Sequence, residues 1–104
     1  MSLMELDRNN FDKETSKGLV VVDFWAEWCA PCKALTPVLE QIAGDSTLNV
    51  RIGKLDVDAN RELMMRFNVR SIPTMIFFKD GRPVDQTLGS QTREQIVTRI
   101  RRHV

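Results

Sequence analysis

The chain has 104 residues, of which 42% are hydrophobic and 28% are charged, and its formal net charge is +1 at pH 7. This length suits a single hydrophobic core, so we expect one domain over residues 1–104. The ordinary composition excludes a largely disordered chain, and no stretch is long and apolar enough to span a membrane. The balanced charge gives no electrostatic attraction to nucleic acid or to an anionic membrane surface.

The N-terminal stretch, residues 1–10, is polar and lacks the apolar segment of a secretory signal peptide. We therefore expect a cytoplasmic protein. Structural disulfides are unusual in a reducing cytosol, so a pair of cysteines in such a protein favours redox chemistry. A mature secreted protein would also lack a signal, and the sequence leaves that alternative open.

The first elements lead to a buried strand that carries one acid. Residues Leu3 to Leu6 predict a short strand, and Asn10 is expected to cap a helix from Phe11 to about Ser16. Residues 19–24 are a nearly unbroken β-branched apolar run, interrupted by Asp23. A strand that is apolar on both faces is typical of the centre of a sheet covered by helices on both sides.

The middle of the chain predicts two helices separated by a strand. The first helix runs from about Cys29 to Ala43, and Gly44 suits the position just after it. A strand is expected from Leu48 to Leu55. Asp58 is then expected to cap a helix from Ala59 to Phe67.

The last third predicts a hairpin and a final helix. Strands from Thr74 to Phe78 and from Val84 to Leu88 flank an Asp-Gly pair at positions 80–81, which is a strong antiparallel hairpin signal. Residues 92–95 match a capping box and precede a helix with one apolar stripe. Because crossovers between strands are right-handed, the early strands should be parallel. The chain is thus expected to be an α/β protein with a mixed five-stranded central sheet flanked by four helices.

The only two cysteines, Cys29 and Cys32, stand three apart at the predicted junction of strand and helix, with Pro31 between them. This spacing is typical of a redox dithiol. At a helix N-terminus, unpaired N–H groups and the helix dipole would stabilise a thiolate on Cys29, the species that attacks a disulfide. Cys32, one turn deeper on the same face, would then reach the mixed disulfide and release the reduced product.

Two other interpretations of the cysteines stay open at this point. Both could be small buried apolar side chains. A structural zinc site needs four ligands, and the only histidine, His103, is expected on the surface at the far end of the chain, so no metal site is predicted.

Asp23 also has two interpretations. Burial in an apolar strand raises the pKa of a carboxyl group, so Asp23 could accept the proton of Cys32 as that thiol becomes nucleophilic. Alternatively it could be a structural acid satisfied by a local hydrogen bond or by Lys54. The residues alone do not decide between these roles.

Several motifs occur in one order along the chain: residues 23–33, Pro37, residues 54–58, Ile72-Pro73-Thr74, Phe78-Lys79-Asp80-Gly81 and Gly89. Together they resemble the thioredoxin family over essentially the whole chain. The resemblance implies the thioredoxin fold and a protein-disulfide reductase that cycles between a dithiol and an intramolecular disulfide. It also implies no bound cofactor, a thioredoxin-reductase-type electron donor and disulfide-containing target proteins. Nothing in the sequence demands more than one copy of the chain, so a monomer is expected.

The resemblance assigns roles beyond the cysteines. It favours Asp23 as the proton acceptor for Cys32, with Lys54 as a nearby charge that modulates it. It implies a cis Pro73 against the dithiol, so that the backbone of Ile72 pairs with an extended substrate segment. Gly89 would leave room for that segment, although an ordinary turn at Pro73 is equally compatible with the residues alone.

The residues around the cysteines are expected to form the substrate surface. Trp28 should be an exposed aromatic side chain beside Cys29. Pro31 stands where oxidising relatives carry histidine, which favours a reductant. Ala30 stands where the family usually has glycine. The reduction potential of the dithiol is therefore expected to differ from that of a typical family member. The alternative functions are a thioredoxin-like binding subunit of a larger complex and a disulfide isomerase or oxidase.

Overall fold

The computed structural model describes residues 3–104, so the first two positions of the predicted domain, residues 1 and 2, lie outside the described residues. Five strands and four helices follow one another along this part of the chain. They are β1 (Met4–Leu6), α1 (Phe11–Thr15), β2 (Leu19–Trp25), α2 (Ala30–Ala43), β3 (Arg51–Asp56), α3 (Arg61–Arg66), β4 (Thr74–Lys79), β5 (Arg82–Leu88) and α4 (Arg93–His103).

The strands form one mixed sheet in the order β1-β3-β2-β4-β5. β3 pairs in parallel with both β1 and β2, whereas β4 is antiparallel to β2 and β5 is antiparallel to β4. This arrangement confirms the predicted mixed five-stranded sheet with four helices. The central position of β2 explains its apolar composition, because both of its edges are paired and both of its faces are covered.

Alternating side chains of β2 build two separate cores. Val20, Val22 and Phe24 pack on the side of α1 and α3, while Leu19 and Val21 pack on the other side. The second core also contains side chains from the two long helices, namely Leu35, Leu39 and Ile42 of α2 and Ile96, Val97 and Ile100 of α4. The end of β2 therefore opens directly onto the start of α2, where the cysteines lie.

Two predicted helix caps are wrong. Asn10 precedes α1, but its side chain caps no helix N–H group: Oδ1 accepts from the Asp7 N–H at 2.8 Å, and Nδ2 donates to the Glu5 carbonyl at 2.9 Å. α3 begins at Arg61, two residues later than predicted, with Asn60 rather than Asp58 at the capping position. The side-chain oxygen of Asn10 accepts from the loop before α1, and a carboxylate oxygen of Asp58 accepts from the distant Trp28 indole. These hydrogen bonds compete with helix capping.

Other boundaries differ by a few residues. β3 begins at Arg51 rather than at Leu48, because the Leu48 N–H donates to the Asp45 carbonyl in a turn after α2. Gly44 ends α2 with φ −83°, so it is not in the left-handed conformation that favours glycine at helix ends.

The final hairpin and the capped helix form where predicted, but the paired strands run closer to the turn: β4 extends to Lys79, and β5 begins at Arg82 rather than at Val84. Asp80 (φ 49°) and Gly81 (φ 85°) adopt the left-handed conformations that a tight hairpin turn requires. The Thr92 side chain accepts from the Gln95 N–H, and the Gln95 side chain accepts from the Thr92 N–H, which completes the capping box. Over residues 3–104, no helix combines the length and the hydropathy needed to cross a membrane.

Candidate active site

The two cysteines are joined by a disulfide at the N-terminus of α2, with Cα atoms 5.3 Å apart. Cys29 is the N-cap residue, and its Sγ accepts a hydrogen bond from the Cys32 N–H at 3.2 Å. Pro31 fits the first turn because the helix needs no N–H donor there. Cys32 is fully buried, whereas Cys29 retains 4% exposure, so Cys29 is the sulfur nearer to solvent.

Asp23 is a completely buried carboxyl group, and neither of its oxygens has a hydrogen-bond partner among residues 3–104. The prediction that a local hydrogen bond satisfies Asp23 as a purely structural acid is therefore wrong. Desolvation raises the pKa of Asp23 to about 7, and the positive charge of Lys54 offsets part of that rise. The acid consequently changes its charge near neutral pH.

Asp23 faces the helix that carries the dithiol. It lies two residues from Val21 on β2 and so points to the same side of the sheet, where Val21 packs with Leu35 and Leu39 of α2. Lys54 is its register partner on β3, and its Nζ lies 3.8 Å from the centroid of the Trp25 ring. Asp23 and Lys54 thus stand on neighbouring strands, on the face of the sheet that α2 covers.

Trp28 precedes Cys29 and is 71% exposed, which confirms the predicted exposure of this side chain. Its indole Nε1–H donates to Asp58 Oδ2 at 2.8 Å. This partner was missed, because Asp58 resembled a helix cap and no local spacing connects two residues thirty positions apart. The hydrogen bond holds one edge of the indole against the loop before α3.

The peptide bond between Ile72 and Pro73 is cis, as the resemblance implied. The Pro73 carbonyl accepts from the Gly89 N–H at 2.8 Å, which ties the start of β4 to the residue after β5. Gly89 has φ +78° and an open space where a side chain would lie. Ala30 and Pro31, which stand between the two cysteines in the sequence, are both exposed.

A groove of about 310 Å³ runs beside the dithiol between Trp28 and Ile72. Sequence reasoning identified these two walls but missed the others, which come from the loop before α3, from α3 and from the loop before β4. The lining residues are Trp28, Val57, Asp58, Arg61, Met64, Arg70, Ser71 and Ile72. Met64 also packs against the core, whereas Met65 is exposed and lies outside this groove.

The sequence model of the thioredoxin family matches residues 2–102. This chain belongs to the thioredoxin family. It is 46% identical to thioredoxin from Staphylococcus saprophyticus and 45% identical to thioredoxin from Staphylococcus haemolyticus, in both cases over all of each chain. A solved structure, that of a single-site mutant of thioredoxin from Halobacterium salinarum NRC-1, superimposes with a TM-score of 0.92 at 32% identity, covering 98% of this chain and 90% of that one.

Membership in the thioredoxin family establishes the reaction class. The chain is a thiol–disulfide oxidoreductase with the thioredoxin fold, and its redox-active pair is the CxxC of α2. Thioredoxins carry no cofactor, are reduced by thioredoxin reductase and act on disulfide-bearing targets. Within residues 3–104, no cluster of three or more His, Cys, Asp or Glu side chains is arranged to hold a metal ion.

Proposed function

We propose that this thioredoxin reduces target proteins with Cys29 as the attacking nucleophile and Cys32 as the resolving thiol. The position of Cys29 supports this order of events. Cys29 is the less buried of the two cysteines and caps α2, and the Cys32 N–H donates to its Sγ at 3.2 Å. In the reduced protein, this N–H group and the dipole of a helix of 14 residues stabilise a thiolate on Cys29.

The reaction proceeds by two thiol–disulfide exchanges. The Cys29 thiolate attacks one sulfur of the target disulfide, forming a mixed disulfide and releasing the other target sulfur as a thiolate. The Cys32 thiolate then attacks Cys29 Sγ, which forms the Cys29–Cys32 disulfide and releases the second target thiol. Two electrons pass to the target, and a thioredoxin reductase supplies two further electrons that reduce the Cys29–Cys32 disulfide back to the dithiol.

Asp23 is proposed as the group that accepts the proton of Cys32 before the second exchange and returns it when the dithiol is reformed. Its support is the burial of both oxygens on the face of the sheet beneath α2, together with a pKa of about 7. Lys54 modulates this acid, since its positive charge favours the ionised form.

The proposed substrate surface surrounds the dithiol on two sides. Trp28 and Ile72 both line the groove, and Pro73 follows Ile72 immediately before the first residue of β4. A target segment in extended conformation is proposed to pair with the backbone of Ile72. On the other side, the exposed residues Ala30 and Pro31 and the residue Gly89 complete the surface; a shallow depression of about 110 Å³ links Pro31 to Ser90, next to Gly89.

The monomer is proposed as the working unit because both cysteines that the two exchanges require lie on the same chain, three residues apart. A cytoplasmic location is proposed because a dithiol that must be kept reduced suits a reducing compartment.

The decisive experiment is insulin reduction with NADPH and a thioredoxin reductase, using the wild type, Cys29→Ser and Cys32→Ser. Cys29→Ser is expected to be inactive, and Cys32→Ser is expected to accumulate mixed disulfides that dithiothreitol releases. Since serine nearly matches cysteine in size, circular dichroism should show both variants folded. Insulin reduction by Cys29→Ser at the wild-type rate, or trapping of targets by Cys29→Ser instead of Cys32→Ser, would overturn the assigned roles.

A further inference from the structure

Two arginines stand in the groove without a charged partner. Arg61 begins α3 and Arg70 precedes β4; both side chains are exposed, and neither forms a salt bridge within residues 3–104. The Arg70 Nε–H donates to the neutral amide of Asn68 at 3.1 Å, which positions the guanidinium without neutralising it. By contrast, Arg66 in the same helix pairs with Asp12 at 3.0 Å.

The single acid that lines the groove is already engaged. Asp58 accepts the indole N–H of Trp28 at 2.8 Å, so one of its oxygens is occupied by a neighbour on the groove wall. The lining therefore carries two positive charges and one negative charge. The same lining contains the apolar side chains of Val57, Met64 and Ile72.

The opposite side of the dithiol has no such charge. The depression beside Pro31 is lined by apolar and uncharged polar residues, ending at Gln91. Near the outer end of β2, Lys33 is neutralised by Glu27 at 3.1 Å. Lys54 lines a further depression with Glu27 and Lys33, and its Nζ lies 3.8 Å from the centroid of the Trp25 ring. The groove beside Trp28 differs from it in holding two guanidinium groups, neither of which forms a salt bridge within residues 3–104.

We propose that Arg61 and Arg70 select target disulfides whose cysteine is flanked by an acidic side chain. This inference rests on the proposed reductase function and specifies its preferred substrate. An Asp or Glu carboxylate would bind a guanidinium by a charge-assisted hydrogen bond. The apolar part of the groove would cover the aliphatic stem of a Glu side chain.

The test uses two peptides that each contain a disulfide. In one peptide Glu flanks one of the disulfide cysteines on both sides, and in the other Gln takes the place of both Glu residues. The wild type is expected to reduce the Glu peptide with a higher kcat/KM, by about two- to five-fold per arginine, the size of a partly exposed ion pair. The ratio of the two kcat/KM values should fall towards one in the double variant Arg61→Gln/Arg70→Gln. It should also fall when salt rises from about 0.05 M to about 0.5 M, because salt screens exposed charges.

Two variants separate the groove from the total charge of the protein. Arg82→Gln removes an exposed arginine from the distant hairpin and should keep the wild-type ratio. Arg61→Glu/Arg70→Glu should invert the preference towards a peptide with Lys in place of Glu. Equal kcat/KM values for the Glu and Gln peptides with the wild type, or an equal loss of preference in Arg82→Gln, would overturn the selectivity and leave the reductase function intact. Failure of the wild type to reduce either peptide or insulin would overturn both.

Discussion

Asp23 and Lys54 are register partners on the neighbouring parallel strands β2 and β3, on the face of the sheet that α2 covers. The pairing is electrostatic and not a direct contact, since neither Asp23 oxygen has a hydrogen-bond partner among residues 3–104. Desolvation exceeds the effect of the Lys54 charge, so the pKa of Asp23 rises to about 7. A carboxyl group that is costly to ionise thus lies below the helix of the dithiol.

Because ionising the buried Asp23 costs free energy in the folded state, we expect Asp23→Asn to stabilise the protein at neutral and alkaline pH. The pKa of Asp23 is about 7 in the folded state and near 3.8 when unfolded. Between these values the folded state binds more protons, so the free energy of unfolding of the wild type falls as pH rises and is constant above about pH 7. Asp23→Asn should therefore gain roughly 2–4 kcal/mol over the wild type at about pH 8 and little at about pH 4.

The measurement is urea unfolding of the oxidised proteins across this pH range. Asp23→Ala is the matched control, because it removes the ionisable group without adding an amide, and it should show the same pH dependence. A difference between Asp23→Asn and wild type that stays constant from about pH 4 to about pH 8 would contradict the assigned pKa. In the same variants, insulin reduction should lose its pH dependence in the range where Asp23 titrates.

The hydrogen bond between Trp28 and Asp58 predicts a measurable coupling between two distant residues. In a double-mutant cycle, Trp28→Phe and Asp58→Ala should be non-additive by about 0.5–1.5 kcal/mol in the free energy of unfolding. The physical reason is that either variant alone removes the 2.8 Å bond. Trp25→Phe is the control, because Trp25 Nε1 has no hydrogen-bond partner among residues 3–104; its cycle with Asp58→Ala should be additive.

Asp85 connects β5 to the end of α4. It accepts a hydrogen bond from Arg99 and lies 3.0 Å from His103 Nε2, so His103 contacts an acid while its side chain stays partly exposed at the surface. Partial burial favours the neutral acid, but the hydrogen bonds from His103 and the Gln86 backbone and the charge of Arg99 outweigh it, so the pKa of Asp85 lies below its ordinary value.

Asp85→Asn is accordingly expected to destabilise the fold by about 1 kcal/mol at neutral pH, the upper range for an exposed pair. A lowered pKa means that this contribution is present above the unfolded pKa of about 3.9 and is lost as pH falls through the folded value. Urea unfolding at neutral and acidic pH measures the difference. Asp12→Asn, which breaks the more exposed pair with Arg66, should cost less. A loss from Asp85→Asn that persists at about pH 2 would contradict the ionic origin.

Gly89→Ala tests a backbone requirement beside the site. No atom lies within contact distance of the added methyl group, but φ is +78°, where an L-residue is strained. We expect a loss of about 1 kcal/mol in the free energy of unfolding, from conformation and not from a clash. Gly89→Asn should lose less, since asparagine tolerates the left-handed region. An equal or larger loss in Gly89→Asn would contradict this conformational cause.

Local spacing accounts for much of what was predicted. The CxxC pair, the Asp-Gly turn, the capping box and the apolar run of β2 depend on residues at most a few positions apart, and the structure has each of them as expected. The predicted caps at Asn10 and Asp58 failed for the same reason: a side chain that can cap a helix can also bond elsewhere, and the local sequence does not rank these choices.

By itself, the sequence determined the dithiol, the order of strands and helices, and the burial of Asp23. Only the tertiary structure decided which charges face one another. Parallel crossovers place Lys54 beside Asp23, bring Asp58 to Trp28, and leave Arg61 and Arg70 together in the groove. Chain topology sets these distances between residues far apart in sequence, whereas hydrophobic periodicity specifies only which face of each element is buried.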